Sequence, residues 1–241
     1  FSEAAAALGA NIKTGHDVKE LSQQQDGSWQ VISNQGEFKA KTLALAVGAW
    51  SRPVGDMLGI DIPITPIRGQ MWATEPAPPS IFHLIGSMES PFDWSSQPPS
   101  NDHPPEITHH GDTRITRHLY GGQSRNGEII FGGDRQSVGY DYSQNAEGIE
   151  VNRGQASEVI PLVAKLPISR TWSGMMPFSM DGKPIIGKVP GFKNLFILTG
   201  LASSGFGRGP MAGKLLADYI HTSHPAPVLA ESDPARCITF K

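Results

Sequence analysis

The chain has 241 residues, of which 38% are hydrophobic and 18% charged, and its formal net charge at pH 7 is −3. This length and composition exclude a disordered chain and indicate a globular protein with one large or two ordinary domains. The near-neutral charge balance gives no support for binding to nucleic acid or to a membrane surface. No apolar run reaches the ~18 residues that predict a membrane span.

The chain begins at Phe1 rather than at a methionine, in an alanine-rich segment that is typical of the later part of a helix and stops at Gly9. We therefore expect a fragment or a processed product, with any targeting signal outside it. Cys237 is the only cysteine. It excludes an internal disulfide and a cysteine-rich zinc site, and it fits a reducing, cytoplasmic location.

The first part of the chain predicts a small sheet followed by a buried strand. A short strand is expected after Gly9, within residues 9–14. Residues 18–21, 28–33 and 37–40 predict a meander of strands joined by turns. Residues 42–47 are continuously apolar, which is typical of a parallel strand buried in an α/β sheet. The small residues that follow, Gly48 and Ala49, permit a ligand to approach the backbone closely.

The middle of the chain predicts a different kind of sheet. Pro63 and Pro66 confine residues 63–74 to an edge or crossing strand, where we place the entry to a second domain. Residue pair Asn126 and Gly127 predicts a hairpin between strands at 118–122 and 128–133. A mostly helical segment is expected at 146–166 and a strand at 168–177. Residues 81–85 predict a further strand.

Four histidines fall in the proline-rich stretch 87–118, which predicts a long loop: His103, His109, His110 and His118. A metal-dependent hydrolase built on these histidines is one alternative function. Their spacing matches no familiar metal motif and no helix fixes two of them on one face, so solvated loop side chains are the preferred interpretation.

Residues 199–220 carry the strongest pattern in the chain. An apolar strand at 194–199 leads into a glycine-rich turn, and apolar residues recur at helical spacing from Met211 to residue 220. Strand, glycine turn and helix start together aim unpaired N–H groups and a helix dipole at an electron-rich group. A plain strand-to-helix connection is the alternative.

In their order along the chain, these stretches resemble the FAD-dependent oxidoreductases of the D-amino-acid oxidase type, which include glycine and sarcosine oxidases and related amine dehydrogenases. The resemblance rests on residues 9–18, 43–51, 66–70, 120–134, 172–187 and 194–220. It implies an α/β fold (α+β overall) with part of a Rossmann-like FAD-binding domain at 1–62 and 181–241. It also implies a substrate-binding domain with a mixed or antiparallel sheet at 63–180.

The resemblance implies an oxidoreductase that binds FAD and transfers a hydride from an amine or amino-acid substrate to the flavin. It places two residues at the substrate: Tyr120 on the cavity wall, and Met176 where several amine-oxidising members carry a carboxylate-binding arginine. A thioether cannot replace that charged pair, so Arg68, Arg135 and Arg208 are alternative cations. The residues expected to hold FAD are Val18, Gly48, Ala49, Arg68, Ser203, Ser204, Gly205, Phe206 and Gly207.

One part of the family pattern is absent from the sequence. The strand and GxGxxG turn that hold the FAD pyrophosphate do not occur, and residues 205–209 lie at the wrong end of the chain to replace them. We therefore expect a preceding segment or another subunit as a partner. The alternative function is a non-catalytic fragment or subunit that acts only in assembly or binding.

Overall fold

The computed structural model describes residues 1–86 and 119–241, together with the backbone of two short strands at His109–His110 and Thr113–Arg114. The loop predicted at 87–118 and its histidine side chains lie outside the described residues.

The N-terminal part builds a meander and one strand of a second sheet. Its elements are α1 (Ser2–Ala7), β1 (Val18–Gln23), β2 (Trp29–Ser33), β3 (Gly36–Ala40), β4 (Leu43–Leu45), a 3₁₀ turn (Gly48–Trp50), α2 (Ser51–Met57) and β5 (Ile60–Asp61). The predicted meander is confirmed, because β1, β2 and β3 pair in that order and antiparallel. The short strand predicted after Gly9 is wrong. Residues 10–14 are exposed and irregular, since no neighbouring strand pairs with them.

The middle part forms a five-stranded sheet in the order β12-β6-β11-β10-β7. Its elements are β6 (Ile64–Thr74), β7 (Ile85–Gly86), β8 (His109–His110), β9 (Thr113–Arg114), β10 (Tyr120–Gln123), β11 (Ile129–Gln136), α3 (Ala146–Val159), a 3₁₀ turn (Pro161–Lys165) and β12 (Ile168–Ser179). The predicted hairpin is confirmed, with Gly127 in the left-handed turn position at φ 90°. Of the strand predicted at 81–85, only β7 forms.

Of the two positions expected for residues 63–74, an edge or a crossing strand, the edge position is wrong, because β6 lies between β12 and β11. Its prolines are tolerated for a local reason. Pro66 pairs with Pro177 of β12, whereas pairing with β11 begins only at Arg68. The missing N–H of Pro66 therefore falls where the strand has a single strand neighbour.

The C-terminal part returns to the sheet that contains β4. Its elements are β13 (Ile185–Lys188), β14 (Leu195–Thr199), a 3₁₀ turn (Ala202–Ser204), α4 (Gly205–Thr222), two 3₁₀ turns (Pro227–Ser232 and Pro234–Arg236) and β15 (Thr239–Phe240). Strand β14 pairs antiparallel with β13 and parallel with β4, which confirms a parallel strand within residues 42–47. The strand covers only Leu43–Leu45, and Ala44 is exposed, so the expected burial on both faces is wrong. Helix α4 begins at Gly205, not near Met211 as predicted. Gly205, Gly207 and Gly209, which belong to the glycine-rich turn predicted here, are therefore helical.

Separate hydrophobic clusters underlie the two kinds of sheet. One cluster combines the meander with strands from both ends of the chain and contains Trp29, Leu45, Ile62, Ile185, Leu195, Ile197 and Ile238. A second lies between the five-stranded sheet and α3 and contains Trp72, Ile129, Phe131, Ile149 and Val163. A third packs α4 on β13 and β14 through Ile186, Phe196, Ala212 and Leu216.

The five-stranded sheet has two unlike faces, because side chains alternate along each strand and antiparallel partners point to the same side. One face, here called the α3 face, carries Arg68, Gln70 and Trp72. Trp72 Nε1 donates a 2.9 Å hydrogen bond to Asn152 of α3. The other face, here called the open face, carries Gly69 and residues that pair in register with it. Within the described part of the chain, no helix is long and apolar enough to cross a membrane.

A bidentate ion pair closes the turn between β12 and β13 onto the C-terminal segment. Arg236 Nε and Nη2 donate to the Asp181 carboxylate at 2.7 and 3.1 Å. Burial raises the pKa of Asp181, but hydrogen bonds from Arg236 and from the Lys183 N–H outweigh it, and the pKa is lowered overall. The stabilisation is therefore present above about pH 3.9, the unfolded value, and is lost as the pH falls through the lower folded value.

Asp181→Asn is expected to lower the free energy of unfolding at pH 7 by about 1 kcal/mol, a figure already reduced for solvent screening of this partly exposed pair. The difference from wild type should shrink as the pH approaches 3. Urea unfolding at both pH values measures it, with Asp218→Asn on the exposed face of α4 as the matched control. An equal difference at both pH values would contradict the assigned role of the charge.

Candidate active site

The loop after β14 holds a strained backbone. Gly200 has φ 74° and Ala202 has φ 48°, both in the left-handed region. This conformation costs a residue with a side chain about 1 kcal/mol or more, so Ala202 adopts it only because the surroundings require it. Strain of this kind concentrates at functional sites, and here it lies at the junction of a buried strand and a helix.

The loop directs N–H groups out of the start of the helical segment. Ser204 donates both its N–H and its hydroxyl to the Leu201 carbonyl, at 3.1 and 2.9 Å. Neither the 3₁₀ turn at Ala202–Ser204 nor α4 has a side-chain cap hydrogen bond. The N–H groups of Ala202 and Ser203 precede the first helical bond, and the helix dipole adds positive potential there. The site suits a negatively charged or electron-rich group.

Three of the residues expected to hold FAD form the first turn of α4: Gly205, Phe206 and Gly207. Phe206 is fully exposed. Gly205 has ordinary helical angles, and a Cβ there would lie 3.7 Å from the Leu201 Cβ, an ordinary contact. A Cβ at Gly207 would meet nothing within 4 Å. The fold itself therefore does not require glycine at position 205 or 207. A ligand that lies close to the backbone would account for both glycines.

The turn after β4 lies beside this loop, because β4 and β14 are parallel neighbours and their carboxyl ends meet at one edge. Gly48 has φ 54°, a conformation that favours glycine, and Ala49 is buried. Val18 lies elsewhere, at the start of β1, where it packs against the first hydrophobic cluster. The structure thus brings Gly48 and Ala49 to the Gly200 loop, and leaves Val18 on the meander.

Three aromatic rings connect the Gly48 turn to the five-stranded sheet. Trp50 stacks with Tyr140 and Tyr142, with ring centroids 6.3 and 6.1 Å apart. The Tyr140 hydroxyl donates a 3.0 Å hydrogen bond to the Ala49 carbonyl. All three aromatic residues are about 40% exposed, so the stack lies at the surface rather than in the core. The stack fixes the segment after β11 against the turn.

Arg68, predicted near the flavin, lies on the α3 face and is buried. It holds the segment after β11 by donating to the side chain of Gln136, to Asp141 and to the backbone and side chain of Ser143. The hydrogen bonds from the Ser143 hydroxyl and N–H are the main cause of the lowered pKa of the Asp141 carboxyl. The charge of Arg68 and its hydrogen bond lower this pKa further. Arg68 therefore anchors the aromatic stack from beneath, on the side of the sheet opposite to Tyr120 and Met176.

The open face carries both residues predicted at the substrate. Tyr120 pairs with Gly132, which pairs with Met71 of β6, and the ring of Tyr120 is about half exposed. The Met176 side chain crosses Gly69, where a Cβ would come within 2.9 Å of the Met176 Cε. Gly69 pairs with Gly174 on one side and with Arg135 on the other. The strands thus place Tyr120, Met176 and Arg135 on one surface.

Arg135 joins this surface to the glycine loop. Its Nη2 donates a 3.1 Å hydrogen bond to the Ser203 hydroxyl, and its guanidinium lies 5.6 Å from the ring centroid of Phe178. Burial lowers the pKa of Arg135 to about 10, so the group keeps its charge at neutral pH. Sequence reasoning named Arg135 only as one of three cations. The register that brings it beside Met176 is a long-range property of the sheet.

Sequence reasoning missed two hydroxyl groups at the meeting point of the loops. Ser51 and Thr199 are buried and lie 2.7 Å apart, oxygen to oxygen. The available signal was Thr199 at the end of an apolar strand and Ser51 directly after the Gly48 turn, at the first residue of α2. Among residues 1–86 and 119–241, no cluster of His, Cys, Asp or Glu is arranged to hold a metal ion.

Comparison with known proteins assigns the family. Residues 1–219 match the model of the "DAO: FAD dependent oxidoreductase" family. A glycine oxidase of Pseudomonas aeruginosa is 27% identical over 195 residues, covering 81% of this chain and 46% of its own length. A mitochondrial dimethylglycine dehydrogenase of Mus musculus is 28% identical over 251 residues, covering 96% of this chain and 26% of its own length. The chain belongs to the family of FAD-dependent oxidoreductases of the D-amino-acid oxidase type.

The fold agrees with this assignment. The crystal structure of a glycine oxidase from Geobacillus kaustophilus superposes with a TM-score of 0.77 at 20% identity, covering 99% of this chain and 56% of that one. The predicted α/β fold is therefore confirmed. The chain spans about half the length of that enzyme and of the glycine oxidase it resembles in sequence.

Proposed function

We propose that this chain forms part of an FAD-dependent enzyme that oxidises a small amine or amino acid. The observation that carries the proposal is the family match over residues 1–219, together with an open sheet face that meets a glycine loop at the start of a helix. Family membership favours an oxidoreductase over a non-catalytic assembly subunit and over a metal-dependent hydrolase. The names of the two relatives support a small substrate of the glycine type.

The residues present fit the flavin end of FAD. Reduced flavin carries negative charge near N1 and O2, and the N–H groups of Ala202 and Ser203 would stabilise that charge together with the dipole of α4. We propose that Ser203, Ser204, Gly205, Phe206 and Gly207 line this end, with Gly48 and Ala49 toward the adenine side. When bound, FAD supplies the acceptor for a hydride from the carbon beside the amine nitrogen.

The two-domain division follows from the same assignment. We propose that residues 1–62 and 181–241 hold the cofactor, and that residues 63–180 hold the substrate. The separate hydrophobic clusters beneath the β4–β14 sheet and beneath the five-stranded sheet support this division. Two further expectations stay predictions: the adenine-side role of Val18 and a second segment or subunit that supplies the pyrophosphate loop.

The open face would orient the substrate. Tyr120 would form one wall, and Met176 would give an apolar contact above Gly69. A thioether cannot bind a carboxylate, so we propose that Arg135 supplies the cation for an amino-acid substrate. Arg68 lies on the opposite face and Arg208 on the exposed side of α4, which leaves Arg135 as the candidate of the three.

FAD titration tests the proposal on the chain together with the preceding segment or subunit that is expected to supply the pyrophosphate loop. Flavin fluorescence should be quenched with saturation at one FAD per chain, and the bound flavin should be bleached on adding glycine or an N-methylated glycine without oxygen. A chain that takes up no added FAD would contradict cofactor binding by these residues. A chain that binds FAD but is not reduced by any small amine would contradict the reaction.

A further inference from the structure

Two buried hydroxyl groups join the Gly48 turn to the loop that begins at Gly200, the two loops proposed to hold the cofactor. Ser51 Oγ donates to the Gly48 carbonyl at 2.6 Å, and Thr199 Oγ1 reaches the same carbonyl at 3.1 Å. The two hydroxyl oxygens are 2.7 Å apart. Both residues are fully buried, so water does not compete for these groups.

These hydroxyl contacts lie where two strands end and the two proposed cofactor loops begin. Thr199 is the last residue of β14 and directly precedes Gly200, where the strained loop begins. Gly48 begins the turn after β4 and has a left-handed backbone that glycine leaves free to move. Two hydroxyls supply two protons for these three contacts, so Ser51 donates to the Gly48 carbonyl, and Thr199 donates either to the same carbonyl or to Ser51 Oγ. These hydroxyl contacts therefore join the Gly48 turn to the carboxyl end of β14.

The core does not require these hydroxyls. Strand β14 is already held by its backbone ladders to β13 and β4, and its buried neighbours Leu195 and Ile197 supply the packing. A valine has the shape of threonine and would keep this packing. The hydroxyl of Thr199 therefore serves to connect the two loops and not to pack the core.

We propose that Thr199 and Ser51 are positioning residues for the cofactor: their hydroxyls hold the Gly48 turn and the Gly200–Ser204 loop at a fixed separation, so that both act on one bound FAD. The inference rests on the proposed function. It adds that cofactor affinity depends on two groups that do not touch the cofactor.

Thr199→Val is the direct test. It removes the hydroxyl and preserves shape, and Ser51 keeps its bond to Gly48. The dissociation constant for FAD should rise about tenfold, the factor that corresponds to the loss of one buried hydrogen bond from the organised site. Thr199→Ser restores the hydroxyl and should return the dissociation constant to within about twofold of wild type. Ser51→Ala should weaken FAD binding at least as much as Thr199→Val.

Thr74→Val is the matched control for a general loss of stability. Thr74 is also buried, and its hydroxyl donates to the Glu75 carbonyl and accepts from the Ile129 N–H, in the five-stranded sheet. It should lower the melting temperature by at least as much as Thr199→Val and leave FAD affinity unchanged. Each variant is examined by flavin fluorescence titration and thermal unfolding without FAD.

The outcomes separate the two proposals. If the wild-type chain binds no FAD, the proposed function falls and this inference falls with it. If the wild type binds FAD and Thr199→Val binds it equally tightly, the positioning role alone is overturned. The role is also overturned if Thr74→Val weakens FAD binding as much as Thr199→Val, or if Thr199→Ser fails to rescue it.

Discussion

Gly205→Val should abolish retention of FAD while the protein still folds. The residue opens α4 with ordinary helical angles, and an added Cβ would contact the Leu201 Cβ at 3.7 Å without a clash. A Cβ on this residue is therefore compatible with the fold, apart from the cost of a β-branched residue in a helix. If the flavin lies against the start of the helix, however, the added methyl groups occupy its space. We expect the affinity for FAD to fall by at least about 100-fold, or about 3 kcal/mol.

Gly213→Val is the matched control, because Gly213 lies two turns further along the same helix and a Cβ there meets nothing within 4 Å, so it too would not clash. Both valines carry the same cost of a β-branched residue in a helix, so both should change thermal stability similarly. Only the Gly205 variant should lose FAD, measured by fluorescence titration and by the flavin content of the purified protein. Equal FAD affinity in the two variants would place the flavin elsewhere.

The parts of the fold that sequence reasoning found are those fixed by neighbours in the chain. The hairpin at Gly127 and the meander around Trp29 follow from turn residues and alternation over a few positions. The parallel pairing of β4 agrees with its uninterrupted apolar run, although the strand is short and Ala44 is exposed on one face. In each case the local preference and the position of the strand in its sheet agree.

Two errors arose where a local preference did not decide the structure. Glycines at 205, 207 and 209 lower helix propensity, so the sequence predicted a helix from Met211 onward. Helix α4 nevertheless begins at Gly205, while its packing on β13 and β14 comes from Ala212 and Leu216 in the part that was predicted. In the same way Pro66 indicated an edge strand, whereas its pairing with Pro177 allows β6 to be central. The pairing partner of Pro66 cannot be identified from the local sequence.

The candidate site shows the same division. The glycine loop and the Gly48 turn were predicted because each follows an apolar strand. Which side chains share a face was not predictable, because a sheet register decides it. Arg68 and Arg135 look alike in sequence, yet β6 and β11 place them on opposite faces. The link between Ser51 and Thr199 likewise joins residues 148 positions apart.

Arg135→Met should remove the preference for substrates that carry a carboxylate. The guanidinium is buried beside Phe178, donates to Ser203 and shares the open face with Met176. A charged hydrogen-bonded pair with a substrate carboxylate in this environment contributes about 3 kcal/mol. We therefore expect kcat/KM for a small amino acid to fall about 100-fold. The value for a methylamine that lacks the carboxylate should change by less than about threefold.

Two further variants make this result specific to the charge at position 135. Arg208→Met removes a cation from the exposed side of α4 and should leave both substrates unaffected. Arg135→Lys keeps the charge and loses the bidentate geometry, so it should retain part of the preference. FAD affinity and thermal unfolding of each variant show whether the site remains assembled. Because the pKa of Arg135 is about 10, the preference in the wild type should persist to at least pH 9. Equal losses for the two substrates would assign Arg135 to the structure of the glycine loop instead, and would leave the carboxylate to another group.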